Sequence, residues 1–206
     1  MPSQPPCALL FDMGGVVIDI DFDRAFSAWQ DKSELSVDEI RNIFTFDLQY
    51  QRHERGEITA SAYYDHLADI LQLENNHDYI AAGWNAIFVS EIAETVAMVR
   101  AVRSSIPCYA FTNSNAAHAV TWRTRFTNVI DSFDRIFSSH EIGLRKPEPR
   151  AFAHIAELIG VPLESLVFFD DLLENVESAA AAGLASVHVR GPSDVRLTLE
   201  SLGYLR

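Results

Sequence analysis

Residues 7–15 read Cys7-Ala8-Leu9-Leu10-Phe11-Asp12-Met13-Gly14-Gly15: five apolar positions, one carboxylate, then a turn on two glycines. An apolar run this short, closed by turn residues, reads as a strand buried on both faces. The pattern recurs down the chain. Residues 106–111 run into Thr112-Asn113-Ser114-Asn115, and residues 166–169 run into Asp170-Asp171. A fourth apolar run covers residues 185–189, and a weaker fifth covers residues 135–138. Between them lie amphipathic stretches with credible helix ends: residues 90–104, 115–125, 149–159 stopped by Gly160, 172–182 stopped by Gly183, and a last one after Ser193. Buried strands alternating with helices predict an α/β fold, a doubly wound, Rossmann-like parallel sheet with helices on both faces.

Residues 18–89 break this rhythm. After a short alternating piece at their start they read as helical throughout, with no further strand. Ser36 with Glu39 forms a capping-box pattern, Thr59 can cap the next helix, and Trp84, Ile87 and Phe88 recur at helical spacing as core rather than as a ligand platform. The organisation expected is therefore an α/β core of residues 1–17 and 90–206 with a helical domain, residues 18–89, inserted into it.

Composition narrows the partners. The 206 residues are 48% hydrophobic, enough for a substantial core, and carry 16 basic against 29 acidic side chains, a net charge of −13. That balance excludes a protein that neutralises many phosphates along a nucleic acid. One small phosphorylated ligand in a local basic spot remains compatible with it. Cys7 and Cys108 sit in apolar runs and are expected to be buried, reduced thiols. Residues 1–6 carry no basic side chain and no stretch approaches membrane-spanning length, so a cytoplasmic protein without a membrane partner is expected. Monomer and homodimer both stay open.

In open α/β sheets, ligands bind beyond the carboxyl ends of the strands. Three strand ends here deliver Asp12, Thr112, and the pair Asp170 and Asp171 to one edge. Three carboxylates in one place cannot all stay ionised without positive charge beside them. A hard divalent cation suits these oxygen donors, and Lys146, one of only two lysines in the chain, is the candidate for the remaining charge. Two imitations of metal sites fail on spacing. His53-Glu54 lacks the second histidine of a zinc helix because position 57 is Glu57, and Asp19, Asp21 and Asp23 are followed by Arg24 where a calcium loop needs glycine.

Taken in order, Asp12 with its Gly-Gly turn, Thr112-Asn113, Lys146-Pro147-Glu148 and Asp170-Asp171 resemble the four motifs of the haloacid dehalogenase superfamily, and residues 18–89 fall where that family places a helical cap. Phe11-Asp12-Met13-Gly14-Gly15-Val16-Val17, His53-Glu54-Arg55-Gly56-Glu57-Ile58, Gly83-Trp84-Asn85-Ala86-Ile87-Phe88-Val89 and Val167-Phe168-Phe169-Asp170-Asp171 are further similar to the bacterial α-D-glucose-1-phosphate phosphatases. The resemblance implies phosphomonoester hydrolysis with Asp12 as nucleophile. It implies Mg²⁺ on Asp12, the Gly14 carbonyl, Asp170 and Asp171, a phosphate grip from Thr112, Asn113 and Lys146, and a small phosphorylated metabolite such as a sugar phosphate as substrate. His53, Glu54 and Arg55 would form the cap's substrate face. One position departs from most of the superfamily's phosphatases: Gly14 stands where they carry an aspartate that protonates the leaving oxygen. That departure keeps two alternatives in view, a metal-independent dehalogenase and a catalytically weak phospho-metabolite or partner binder.

Overall fold

The computed structural model describes residues 5–205; the reading of the N-terminal stretch falls partly, at residues 1–4, outside them. Strand β1 (Ala8–Phe11), four apolar residues all buried, leads through the glycine turn to a short β2 (Ile18–Ile20). Five helices follow: α1 (Phe22–Gln30), α2 (Val37–Ile43), α3 (Leu48–Glu54), α4 (Ala60–Ile70) and α5 (His77–Asn85). The chain then continues through β3 (Phe88–Glu91), α6 (Ala93–Val102), β4 (Cys108–Thr112), α7 (Ala116–Arg125), α8 (Thr127–Ile130), β5 (Arg135–Ser138), α9 (Ser139–Ile142), α10 (Pro149–Ile159), β6 (Leu166–Asp170), α11 (Leu173–Ala182), β7 (Ala185–His188) and α12 (Pro192–Ser201).

Five strands form one parallel sheet in the order β5-β4-β1-β6-β7. Side chains alternate across β1. Leu9 and Phe11 join one core with residues of α6 and α12, while Ala8 and Leu10 join a second core with Phe152 and Ile155 of α10. Both sheet faces are thus covered by helices, which is the doubly wound α/β architecture expected from the strand pattern. From β1 the chain builds outward through β4 and β5, then returns to the other side of β1 through β6 and β7. The crevice at this reversal lies above the carboxyl ends of β1, β4 and β6. Register sets what reaches it: Phe11 pairs with Ala110 and with Phe169, so Asp12, Thr112 and Asp170 come out close together.

Helices α1 to α5 pack on an aromatic centre in which Trp29 and Trp84 stack at 5.9 Å. Gly83 makes this possible, since a Cβ there would lie 2.2 Å from Nε1 of Trp29. Each helix start is capped as its local sequence dictates: Ser36 and Glu39 form the full capping box, and Thr59 accepts from the Ala62 N–H. Gly160 and Gly183 end α10 and α11 in left-handed conformation, as their positions predict.

Two expectations need correction. The stretch after the helices is not without a strand: β3 pairs antiparallel with β2, Ile18 opposite Glu91 and Ile20 opposite Phe88, so α6 starts at Ala93 and not at residue 90. Phe88 and Val89 favour a strand only when a distant partner is present, and helical spacing with Trp84 masks them. Cys108 is buried, but Cys7 is exposed, because it precedes β1 and only its backbone joins the fold, bonding the Ser165 carbonyl at 2.8 Å. Among the described residues no helix is long and apolar enough to cross a membrane.

Candidate active site

The floor of the site starts at Asp12. Its backbone N–H continues the sheet onto the Phe169 carbonyl at 2.8 Å, which places its carboxylate just beyond the central strand. Oδ1 accepts from the Met13 N–H at 2.7 Å and lies 2.7 Å from Nζ of Lys146. The same Nζ donates to Oδ2 of Asp170 at 2.7 Å, and the lysine side chain is 1% exposed. Lys146 is therefore no solvated loop residue. Its ammonium lies over the rings of Phe111 and Phe168, with Nζ 5.4 and 5.5 Å from their centroids.

Neighbouring side chains hold these groups in place. Asn113 brackets the Lys146 backbone, donating Nδ2 to its carbonyl and accepting its N–H, both at 2.8 Å. Asn175 of α11 and the Leu172 N–H bond the Asp170 carboxylate. Asp171 lies over Gly15, whose φ is +69° and whose missing Cβ would stand 2.2 Å from Oδ2 of Asp171. Only glycine allows both the turn and that approach. Thr112 ends β4 buried, with Oγ1 at a long 3.4 Å from the Asn113 carbonyl, which leaves the hydroxyl little committed.

Electrostatics follow from the burial. Asp12, Asp170 and Asp171 each offer an oxygen, all within 4.8 Å of one another. Burial pushes the Asp12 carboxyl up to about 8; Lys146 opposes the rise, and the charges of Asp170 and Asp171 add to it. The Asp171 carboxyl is also raised, first by burial and then by Asp170. Burial works against the Lys146 ammonium, but Asp12 and Asp170 outweigh it and its pKa rises, so the lysine stays charged. One ammonium among three carboxylates leaves negative charge uncompensated. The donors are all hard oxygens, so the cluster fits a divalent cation of the Mg²⁺ type.

Above the floor opens a cavity of about 720 Å³, lined by the strand ends, the β2–β3 ribbon and the helical segment. Of the three consecutive residues His53, Glu54 and Arg55 expected to form a substrate face, Glu54 lines the cavity, whereas His53, before it on α3, and Arg55, which caps that helix, are not in the lining. Glu54 accepts from Nε of Arg145 at 2.8 Å, and its carboxyl is raised by burial, with Arg145 and a Tyr50 hydrogen bond opposing. His53 is buried against the Tyr63 ring at 4.5 Å; among the described residues its Nε2 finds no hydrogen-bond partner, and burial holds its pKa down at about 4. Arg55 bonds Glu57 at 2.6 Å and reaches Glu148 at 3.3 Å. Two ion pairs, Glu54 with Arg145 and Arg55 with Glu148, thus tie the helical segment to the loop that carries Lys146.

Sequence reasoning passed over several of these groups. Arg145 stands next to Lys146 but shows no motif of its own, and Tyr50 is one aromatic among many. His118, read as structural, does line the cavity; its Nε2 bonds the Trp84 carbonyl at 3.1 Å and burial takes its pKa down to about 3. His188, also read as structural, bonds the Asp171 carbonyl at 3.0 Å through Nε2. Trp84 is core, as its spacing suggested.

A family model described as haloacid dehalogenase-like hydrolase matches residues 8–183. The chain is 24% identical over 198 residues to the D-ribitol-5-phosphate phosphatase of Bacteroides thetaiotaomicron, covering 93% of this chain and 95% of that protein. It is 25% identical over 185 residues to a sesquiterpene phosphatase of Aspergillus oryzae, covering 88% and 89%. Among solved structures, a magnesium complex of a haloacid dehalogenase family enzyme from Bacteroides thetaiotaomicron superposes with a TM-score of 0.76 at 25% identity, covering 89% of this chain and 92% of that one.

Proposed function

The chain belongs to the haloacid dehalogenase-like hydrolases, and from that premise we propose that it is a Mg²⁺-dependent phosphomonoesterase working through an aspartyl-phosphate on Asp12. The observation that carries the reading is the buried Asp12 carboxylate at the end of the central strand, 2.7 Å from the Lys146 ammonium and clustered with Asp170 and Asp171. Oδ1 of Asp12 is engaged by Lys146 and the Met13 N–H, which orients the other oxygen for in-line attack on phosphorus. The P–O bond to the alcohol breaks as the Asp12–phosphorus bond forms, and the leaving oxygen takes a proton ultimately supplied by water. Water then attacks phosphorus and releases phosphate and free Asp12, so the sum is monoester plus water giving alcohol plus phosphate.

Mg²⁺ held by Asp12, the Gly14 carbonyl, Asp170 and Asp171 would supply the charge that offsets the phosphoryl oxygens. Thr112 and the Asn113 backbone bind those oxygens, while Lys146 balances charge on both Asp12 and phosphate. Asn175 and the Leu172 N–H keep Asp170 aimed, and Gly15 keeps Asp171 close. Residues 18–89 act as the cap over this floor, with Glu54 as its contact through Arg145. Position 14 offers no acid, so protonation of the leaving oxygen falls to water or to the cap.

The relatives' names point to a polyol phosphate in one case and a sesquiterpene phosphate in the other, and the sequence resemblance points to α-D-glucose 1-phosphate. All three support a small phosphorylated metabolite as substrate. The first assay measures phosphate release from α-D-glucose 1-phosphate, glucose 6-phosphate and D-ribitol 5-phosphate, with Mg²⁺ or EDTA, in the wild type and in Asp12→Asn. Metal-dependent release that disappears in the variant supports the reading. Release that survives Asp12→Asn or EDTA overturns it, and no release from a wide phosphate panel favours the binding protein that Gly14 suggests.

A further inference from the structure

Resting on the phosphomonoesterase reading, we propose that the alcohol half of the substrate is apolar, a hydrocarbon chain or ring without the hydroxyls of a sugar. A phosphoryl group fills only the floor of the cavity of about 720 Å³, so the rest must receive the alcohol. That remainder is walled by Ile20, Phe22 and Phe88 on the ribbon side, Leu172 and Leu173 across from them, and Phe46. The hydrocarbon begins next to the nucleophile: a Cβ at Gly14 would meet Cδ1 of Ile20 first, at 3.0 Å. A leaving group departing past Gly14 therefore faces an isoleucine side chain.

Several polar groups in the same wall already have protein partners, the exposed Glu174 being an exception among the described residues. Gln51 donates to the Phe46 carbonyl at 3.0 Å, Trp122 donates to Oγ of Ser114 at 3.1 Å, His118 bonds the Trp84 carbonyl, and Glu54 and Arg145 bond each other. A sugar needs a partner for each hydroxyl it buries, and an unmatched one costs affinity that a hydrocarbon does not lose. At the mouth, Phe46 and the adjacent Leu172 and Leu173, from two separate parts of the chain, are 55%, 54% and 51% exposed. Their convergence on one opening is not the stripe of a single amphipathic helix, and an apolar substrate removes them from water.

The test is a series of n-butyl, n-hexyl and n-octyl monophosphates below micellar concentration, beside α-D-glucose 1-phosphate, D-ribitol 5-phosphate and acetyl phosphate, all with Mg²⁺. At the usual value of a buried methylene, kcat/KM rises roughly fourfold per added carbon until the cavity is full, and the octyl ester exceeds both polyol phosphates. Leu173→Asp places a carboxylate in the first turn of α11, where a helix tolerates it, and flattens the chain-length dependence. A flat series, or polyol phosphates turned over faster than the octyl ester, overturns the proposal while leaving the phosphatase reading intact. Hydrolysis of none of these esters, nor of the anhydride acetyl phosphate, overturns the phosphatase reading itself and this proposal with it.

Discussion

Replacing Lys146 by methionine keeps an unbranched side chain of similar size and removes one charge from a place where nothing else supplies it. Nζ lies 2.7 Å from Oδ1 of Asp12 and 2.7 Å from Oδ2 of Asp170, and the side chain is 1% exposed. Breaking a buried ion pair from one side leaves an uncompensated charge and costs about 3–5 kcal/mol. The loss depends on pH in a definite sense. The Asp12 carboxyl is already pushed up to about 8 with the lysine present, and without it the folded protein holds the ionised form less well still. Below pH 8 Asp12 is protonated in both folded proteins and adds nothing to their difference; above pH 8 it ionises in the wild type but not in the variant, and the difference grows. Urea unfolding in EDTA, comparing variant with wild type at each pH, should thus give a difference of about 3–5 kcal/mol at pH 8.5 from the broken pairs, widening by up to about 1.4 kcal/mol per pH unit above it. Comparison at equal pH cancels the histidine contributions common to both proteins. A difference below about 1 kcal/mol at pH 8.5, or one that does not widen above it, refutes the view that Lys146 is the compensating charge of a buried carboxylate cluster.

Gly15→Ala combines a left-handed φ of +69° with a Cβ 2.2 Å from Oδ2 of Asp171, so it should raise the Mg²⁺ concentration for half-maximal turnover about tenfold or more. Gly160→Ala, at φ +83° with open space around it, costs about 1 kcal/mol of stability and should leave the Mg²⁺ dependence unchanged; equal Mg²⁺ curves for both variants would contradict the placement of Asp171. His53 and His118 are held down at about 4 and about 3 from an ordinary 6.5, so the unfolded chain binds protons that the folded one refuses. Their stability is fully present above pH 6.5 and falls as the pH drops, by about 2 kcal/mol for each at pH 5; because the raised Asp12, Asp171 and Glu54 carboxyls act in the opposite sense, the check compares wild type with His118→Gln at each pH, and a difference that stays level from pH 7 to 5 would exclude this. Cys7 is exposed, whereas Cys108 is buried with its thiol pushed up to about 12, so a thiol reagent should label one cysteine in the native protein and two after unfolding.

Much of the sheet was legible because its central strands are buried on both faces, so that local apolar runs such as residues 8–11 and 166–169 carry the signal without knowledge of their partners, whereas the edge strand β7 is only half-buried. Helix ends were equally local, set by Ser36, Thr59, Gly160 and Gly183. What depends on contacts across the chain was not legible. The β2–β3 ribbon needs Ile18 to meet Glu91, and Cys7 looks buried until the start of β1 is placed at Ala8. Among site residues, Asp12, Thr112, Lys146, Asp170 and Asp171 stand out because strand ends gather at one edge. Asn113 was named with them, for the phosphate, but the hold of its side chain on the Lys146 backbone, 33 residues away, was not legible. Arg145 and His118 likewise take their places from tertiary partners, Glu54 and Trp84. The consecutive residues His53, Glu54 and Arg55 looked equivalent as a motif, and the turn of α3 separates them.

The central claim is that Asp12 carries the phosphoryl group. Acid quench during turnover of a hydrolysed ester with Mg²⁺, followed by borohydride reduction and peptide mass spectrometry, reads the site directly, because reduction turns an aspartyl-phosphate into homoserine. Homoserine at position 12, with Asp170 and Asp171 unmodified and nothing formed in EDTA, is the expected result. Phosphate release accompanied by homoserine at another position, or by none under conditions that trap acyl-phosphates, would contradict it.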